Sequence, residues 1–339
     1  MKRTKLRKII IRWQTVFLLL LCESAFSIGP NDTQEPITVP DFTAAEIERI
    51  LDEKFAAGSY SRTGADQCLR CHDQSSELNA MGIFKNIHGS RKQQGSPFQS
   101  LQCEACHGPA GEHTKSRLKS DERREPMITF GRQSPLSAEK QNSVCLGCHQ
   151  DALKHDWQGS EHERADVPCA ACHLVHQAHD PVQKAVTQIE TCGTCHQAEL
   201  AQAHQRSSHP MLNGQMVCTD CHSPHGSINT ASLKKPTVNE NCFACHAEKR
   251  GPLLWEHEPV TEDCSTCHNP HGSVNSSMLS KRPPQLCQSC HTTAGHPSVP
   301  YTDNDANLPS AVFVVGSSCT NCHSQVHGSN HPSGRSLQR

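Results

Sequence analysis

Cysteine and histidine carry the chemistry of this sequence. Cys-x-x-Cys-His occurs ten times, beginning at Cys68, Cys103, Cys145, Cys169, Cys192, Cys218, Cys242, Cys264, Cys287 and Cys319. These copies use every one of the 21 cysteines except Cys22. A Cys-x-x-Cys pair makes a poor structural disulfide, and a disulfide framework does not explain a histidine after each pair. Zinc ribbons also use paired Cys-x-x-Cys, but again leave the following histidine without a reason. The spacing suits c-type haem attachment: two thiols on one helical turn add to the two vinyl groups, and the adjacent histidine sits under the iron. Thioethers are expected at Cys68 and Cys71, Cys103 and Cys106, Cys145 and Cys148, Cys169 and Cys172, and Cys192 and Cys195. They are expected likewise at Cys218 and Cys221, Cys242 and Cys245, Cys264 and Cys267, Cys287 and Cys290, and Cys319 and Cys322. The proximal ligands would be His72, His107, His149, His173, His196, His222, His246, His268, His291 and His323.

Of 24 histidines, 14 remain for the other face of ten irons. Their placement exposes a repeat of five two-motif units starting at Cys68, Cys145, Cys192, Cys242 and Cys287. One histidine lies between the two motifs of each unit: His88, His162, His209, His257 and His296. Another follows the second motif: His113, His176, His225, His271 and His327. The match is clearest in CTDCHSPHGS at 218–227 and CSTCHNPHGS at 264–273. These ten positions meet the demand for distal ligands and predict ten covalently bound haems c with bis-His iron. A histidine three residues after a proximal one projects from the same side of the turn, so it should reach a neighbouring haem and not its own. His176 competes with His179 and is favoured for its spacing. His327 competes with His331 and is favoured for the local Val-His-Gly-Ser. His155 and His204 are not expected to bind iron. Methionine is a poor alternative, since only Met81, Met127, Met211, Met216 and Met278 follow the leader.

The elements that must position these groups are unusual. Leu, Ile, Val and Phe make up about 18% of 339 residues, aromatics 4%, and the mean hydropathy is -0.61. A chain so poor in hydrocarbon is organised by what it binds, which argues against Rossmann, barrel or sandwich folds. Motif starts are separated by 35, 42, 24, 23, 26, 24, 22, 23 and 32 residues, too close in the middle for a conventional core. The expected fold class is a multihaem cytochrome c: mostly short helices and irregular loops wrapped on an elongated haem row, with almost no sheet. Short helices are expected after each motif and turns at SPHGS and NPHGS. Asp41 to Phe55 reads as a helix, with Thr43 and Glu46 at capping-box spacing and Ile47, Ile50, Leu51 and Phe55 on one face, covering the first haem. Residues 114–141 read as a charged insertion without haem ligands, and Ala311–Val315 as the one strand-like run.

The N-terminus reads as a secretory signal over residues 1–27. Lys2, Arg3, Lys5, Arg7, Lys8 and Arg12 precede an apolar stretch from Trp13 to Cys22, and Ala25-Phe26-Ser27 suits the peptidase. The apolar run is too short for a span. Cys22 as an acylated residue is disfavoured by the bulky Leu21. Cleavage after Ser27 leaves 26 basic and 33 acidic residues, a charge of -7, which argues against a nucleic-acid partner. Residues 28–60 read as linker and short helix, and 61–339 as the decahaem domain.

These residues resemble the MtrA-like periplasmic decahaem cytochromes, a group with DmsE-type members. The resemblance rests on all ten motifs, on GPLLWEHEPVTEDCSTCHNPHGS at 251–273 and on CTNCHSQVHGSNHPSG at 319–334. It implies a periplasmic haem wire inserted in an outer-membrane β-barrel porin. Such a wire passes electrons between periplasmic carriers and an extracellular cytochrome or terminal reductase, in metal, iron or sulfoxide respiration or in iron oxidation. The resemblance also implies two pentahaem halves divided near 197–217, a cut that differs from the five-unit reading. It places the C-terminal pole deep in the barrel. The helix carrying Glu46, Glu48, Asp52 and Glu53 would then face periplasmic carriers.

Three functions are open to such a chain. A conduit needs ten closed irons, because bis-His ligation leaves no position for substrate and the protein tunes potentials alone. A soluble periplasmic electron shuttle needs the same haems and no barrel. A multihaem reductase needs one open iron, often marked by Cys-x-x-Cys-Lys, whereas all ten motifs here end in histidine. Tyr60 and Tyr301 are the only tyrosines, so cross-link chemistry is poorly supported. The conduit is preferred, and no catalytic residue is expected.

Overall fold

A computed structural model describes residues 42–76, 80–115, 123–150, 156–291 and 318–338. The leader, most of the linker, His155, His296 and the run 311–315 lie outside the described residues. Ala44–Arg339 forms one unit of the chain. The other, Met1–Thr43, contributes only its last two residues to the description.

Secondary structure follows the shortage of apolar side chains. Among the described residues there are short α-helices and 3-10 turns but no strand, only isolated bridges such as Ser207 with Ser273 and Trp255 with Ser329. The longest helix among the described residues spans Ala44–Ala57 and not 41–55. It stops at Gly58, whose φ of +58° suits a left-handed end. There Gly58 N donates to Phe55 O at 3.1 Å and Ser59 N to Lys54 O at 3.3 Å, a Schellman closure. Ile47, Leu51 and Lys54 form its buried face. Full burial of Ile47 and Leu51 contributes about 1.5–3 kcal/mol each. Phe55 is partly exposed, against the expectation that it shares this face. Burial pushes the Lys54 ammonium below its usual range, opposed by Glu125 and Glu104; its Nζ donates to Pro126 O at 3.0 Å.

Helices lead into motifs more than they follow them. Ala138–Leu146, Ala185–Gly193, Val238–Phe243 and Gln285–Gln288 each contain the first cysteine of a unit. Ser137 and Thr237 cap two of them, accepting from Lys140 N at 3.2 Å and Glu240 N at 3.1 Å. After a motif, the one helix of more than a single turn among the described residues is Gln197–Ala203. The expectation of a helix behind every motif is therefore corrected. His222, for example, leaves its turn in extended backbone, with φ -107° and ψ 148°.

Buried amides join the two motifs of a unit. Asn142 Oδ1 accepts from Cys169 N at 2.7 Å, Asn239 Oδ1 from Cys264 N at 2.8 Å, and Gln188 Oε1 from Thr219 N at 3.0 Å. All three side chains are almost wholly buried. Their NH2 groups are also used, as in Asn239 Nδ2 to Val260 O at 2.9 Å. A small apolar cluster of Ile189, Ala203 and Met211, flanked by Leu200 and Met216, sits beside the third unit. Among the described residues no helix is long and apolar enough to cross a membrane.

Candidate haem-binding sites

All ten motifs fold as the same turn. The amide of each motif histidine donates to the carbonyl of its first cysteine, at distances between 2.8 Å (His246 to Cys242) and 3.0 Å (His72 to Cys68). This turn puts both thiols of a motif on one side. All 20 motif cysteines are free. Within each unit the first cysteines of the two motifs meet: Cys68 with Cys103, Cys145 with Cys169, Cys192 with Cys218, Cys242 with Cys264, and Cys287 with Cys319. Between units the second cysteine of one motif feels the next motif, as Cys106 feels Cys145 and Cys148, and Cys221 feels Cys245. Burial pushes the Cys106 thiol up to about 11.

The histidines meet in pairs, and each pair joins one motif histidine to one of the positions singled out for the second ligand. His72 faces His113 with ring centroids 6.4 Å apart, His107 faces His176 at 5.7 Å, and His149 faces His88 at 6.2 Å. His173 faces His225 at 5.9 Å, His196 faces His162 at 6.1 Å, and His222 faces His271 at 6.1 Å. His246 faces His209 at 6.4 Å, His268 faces His327 at 6.2 Å, and His291 faces His257 at 6.0 Å. For His323 the remaining candidate, His296, lies outside the described residues. The neighbour of His107 is His176 rather than His179. The neighbour of His268 is His327; Nδ1 of His331 instead accepts from Ser333 N at 3.1 Å. His204 ends a helix and faces no other imidazole among the described residues.

These pairs run between units. The histidine between the motifs of one unit faces the first motif histidine of the next: His88 to His149, His162 to His196, His209 to His246, His257 to His291. The histidine after the second motif faces back to the second motif of the preceding unit: His176 to His107, His225 to His173, His271 to His222, His327 to His268. Every junction is thus crossed in both directions. Within the first unit His113 turns back to His72.

Backbone contacts fix the same junctions. His162 Nδ1 donates to Pro224 O at 2.7 Å, His209 Nδ1 to Pro270 O at 2.7 Å, and His257 Nδ1 to Val326 O at 2.9 Å. Each acceptor immediately precedes His225, His271 or His327. The following glycine lets the two chains touch. Gly226 and Gly272 have φ of +117° and +147°, and a Cβ would collide with the carbonyls of Asp156 and Gln202. The His-Gly-Ser repeat therefore encodes a close backbone approach as well as the placement of a paired histidine.

Other Nδ1 atoms are held locally. His222 donates to Ala231 O at 2.8 Å and His268 to Ser277 O at 2.7 Å, across equivalent kinks where Ala231 and Ser277 have φ of 52° and 56°. His107 donates to Ile128 O at 2.7 Å, His113 to Glu125 O at 2.8 Å, and His323 to Ser336 O at 2.6 Å. The 114–141 insertion, which holds no ligand candidates, thus supplies two acceptors. His173 Nδ1 binds a side chain, Asp180 Oδ2, at 2.6 Å. An occupied Nδ1 fixes the tautomer and leaves the Nε2 lone pair for a metal. Desolvation by burial is also the main cause that lowers the pKa of His88, His107, His113, His176, His225, His271 and His327 below 6.5, favouring the neutral ligating form.

The pairs fit an axially ligated haem. An imidazole nitrogen lies about 1 Å from its ring centroid and a metal–imidazole bond is about 2 Å, so two rings on one metal have centroids about 6 Å apart. The observed range is 5.7 to 6.4 Å. Ring planes differ by between 9° and 67°, which axial ligation permits because either ring can turn about the metal axis. Among the described residues no three His, Cys, Asp or Glu converge as a zinc site would require.

Comparison with known proteins agrees with this chemistry. A doubled CXXCH motif model matches residues 209–251 and 257–296, and a model of cytochrome c-type NrfB-like proteins matches 103–189. The chain is 29% identical over 143 residues to the cytochrome c-type protein NrfB of Haemophilus influenzae, covering 38% of this chain and 63% of that one. It is 56% identical over 300 residues to the multihaem cytochrome MtrA of Shewanella baltica, covering 88% of both chains. The repeated thiol turns carry covalently bound c-type haem, and the chain belongs to the MtrA family of multihaem cytochromes.

Proposed function

We propose that this chain is a periplasmic decahaem cytochrome that conducts electrons through an outer-membrane porin, between periplasmic carriers and an extracellular partner. The observation that carries the proposal is the set of nine facing histidine pairs among the described residues, each joining a motif histidine to a histidine from elsewhere in the chain. When bound, each haem supplies a one-electron Fe(III)/Fe(II) couple. The chain's own residues do the rest. The thiols would tether the group, the two imidazoles of a pair would hold its iron and leave no place for substrate, and backbone carbonyls at Nδ1, or Asp180 at His173, hold several of these imidazoles in the ligating tautomer. With His296 assigned to His323, ten proximal and ten distal positions are matched.

Cysteine contacts support a row in motif order, alternating within and between the five units. Crossed ligation would bind each unit to the next and keep neighbouring haems close. The polypeptide has few apolar residues to offer lipid, and a bilayer with its headgroups is about 40–45 Å thick. A barrel supplies the lipid-facing wall and a polar lumen that such a chain can occupy.

The test is reconstitution. The holo-chain is isolated from outer membranes with whatever barrel accompanies it and placed in liposomes with an electron-accepting dye inside and dithionite outside. The proposal expects a co-purifying barrel and dye reduction that needs both components. Recovery only as a soluble protein without a barrel, or dye reduction by the barrel alone, contradicts it.

A further inference from the structure

The acceptor at His173 stands apart. His222 and His268, the equivalent histidines of the next two units, donate Nδ1–H to backbone carbonyls at 2.8 and 2.7 Å. His173 donates to the Asp180 carboxylate at 2.6 Å, the length of a charge-assisted hydrogen bond. The carboxylate is built in place: its other oxygen accepts from Leu174 N at 3.3 Å and Val182 N at 3.4 Å, and its side chain is only 16% exposed. No lysine or arginine forms an ion pair with it among the described residues. Among the described residues two other carboxylates approach a motif histidine, but from farther away. Glu199 lies 3.9 Å from His196 Nδ1 and Glu248 3.7 Å from His246 Nδ1, beyond hydrogen-bond length, and both are exposed to screening water.

We propose that Asp180, acting through His173, makes the fourth haem of the row the most negative among those carried by second motifs. The carboxylate draws on the Nδ1 proton and makes Nε2 a stronger donor. A stronger axial donor favours Fe(III) over Fe(II), and so lowers the potential. In transfer along the row this site takes one electron from a neighbouring haem and passes one on, with no bond broken and no proton released. Asp180 is thus a positioning residue that acts on the haem held at Cys169 and Cys172. The inference rests on the proposed pairing of His173 with His225.

The experiment compares the full holo-chain with Asp180→Asn, Asp180→Glu, Glu199→Gln and Glu248→Gln by potentiometric titration, followed optically and by EPR. Asp180→Asn is expected to shift about one tenth of the haem to higher potential. At a fixed poise the ferric/ferrous ratio of that component should fall at least tenfold, about 59 mV for one electron. The other haems should remain in place and all should stay low-spin. Asp180→Glu should restore the wild-type curve to within about threefold in that ratio, and the two glutamate variants should leave it unmoved. An unchanged titration of Asp180→Asn, or an equal shift in Asp180→Glu, overturns the proposal. Conversion of that haem to high-spin iron also overturns it, because Asp180 would then hold the ligand rather than tune it. Failure of His225→Ala to open any iron would instead count against the pairing, and is read separately from the potential.

Discussion

His225→Ala isolates the crossed geometry. His225 follows the motif at Cys218, yet its ring lies 5.9 Å from that of His173, while the histidine of its own motif, His222, faces His271 at 6.1 Å. Removing the imidazole should therefore open the iron held at Cys169–Cys172 and leave the one at Cys218–Cys221 closed. With ten motifs, the high-spin fraction should be about one tenth of total haem. The junction should survive, because the clasp from His162 Nδ1 to Pro224 O at 2.7 Å does not use the deleted ring. Ferric EPR measures the fraction, and added imidazole should return it to low spin. A second substitution identifies the site. Replacing Cys169 and Cys172 by serine removes the affected haem and should abolish the high-spin signal, whereas replacing Cys218 and Cys221 should leave it. The reverse pattern, or a fully low-spin His225→Ala protein, would show that His225 does not serve the iron at Cys169–Cys172.

Gly272→Ala should cost about 1–3 kcal/mol in thermal or denaturant unfolding, because its Cβ meets the Gln202 carbonyl; Gly159→Ala, with nothing within 4 Å, should cost less. Asn239→Leu leaves the Cys264 amide without its 2.8 Å acceptor and should cost about 1–3 kcal/mol, while the haem count by pyridine haemochrome stays unchanged. Burial lowers the pKa of His107 and His225 from 6.5, so the unfolded chain takes up more protons below that value. Their contribution to stability is present above pH 6.5 and is lost as pH falls, which an acid titration of the low-spin spectrum should follow. Truncation after Ser280 removes the last two motifs; dithionite should still reduce the remaining haems, but transfer to a dye across a porin-containing liposome should stop.

The motif turns were legible because covalent attachment demands a fixed spacing of thiols and histidine, and this demand outweighs any tertiary preference. The histidines proposed as second ligands stand out as a set because they recur with the repeat. Nine of the ten lie in the described residues, and each faces a motif histidine. Their particular partners were not legible. The three-residue spacing of His225 from His222 excludes a shared iron, but only the folded junction tells His173 from other neighbours. The backbone acceptors were hidden for a stronger reason. Ile128 and Glu125 act through carbonyls that every residue possesses, so the 114–141 segment looked like inert insertion. Asn142, Gln188 and Asn239 read as ordinary polar residues of short helices, and only their burial shows that they join two motifs. Asp180 reads as a turn residue before Pro181; its contact with His173 depends on the loop closing. Asp41 and Thr43 both suit a helix start, so the sequence puts the start earlier than Ala44, while Gly58 marks the end.

The proposed function requires ten irons, each closed by two histidines. Pyridine haemochrome and ferric EPR spin counting on one sample of the mature holo-chain test it together. Ten haems per chain are expected, all low-spin in the ferric state, with no nitrite bound. A count near half that number, stoichiometric zinc in place of iron, or a high-spin signal equal to one haem would contradict it.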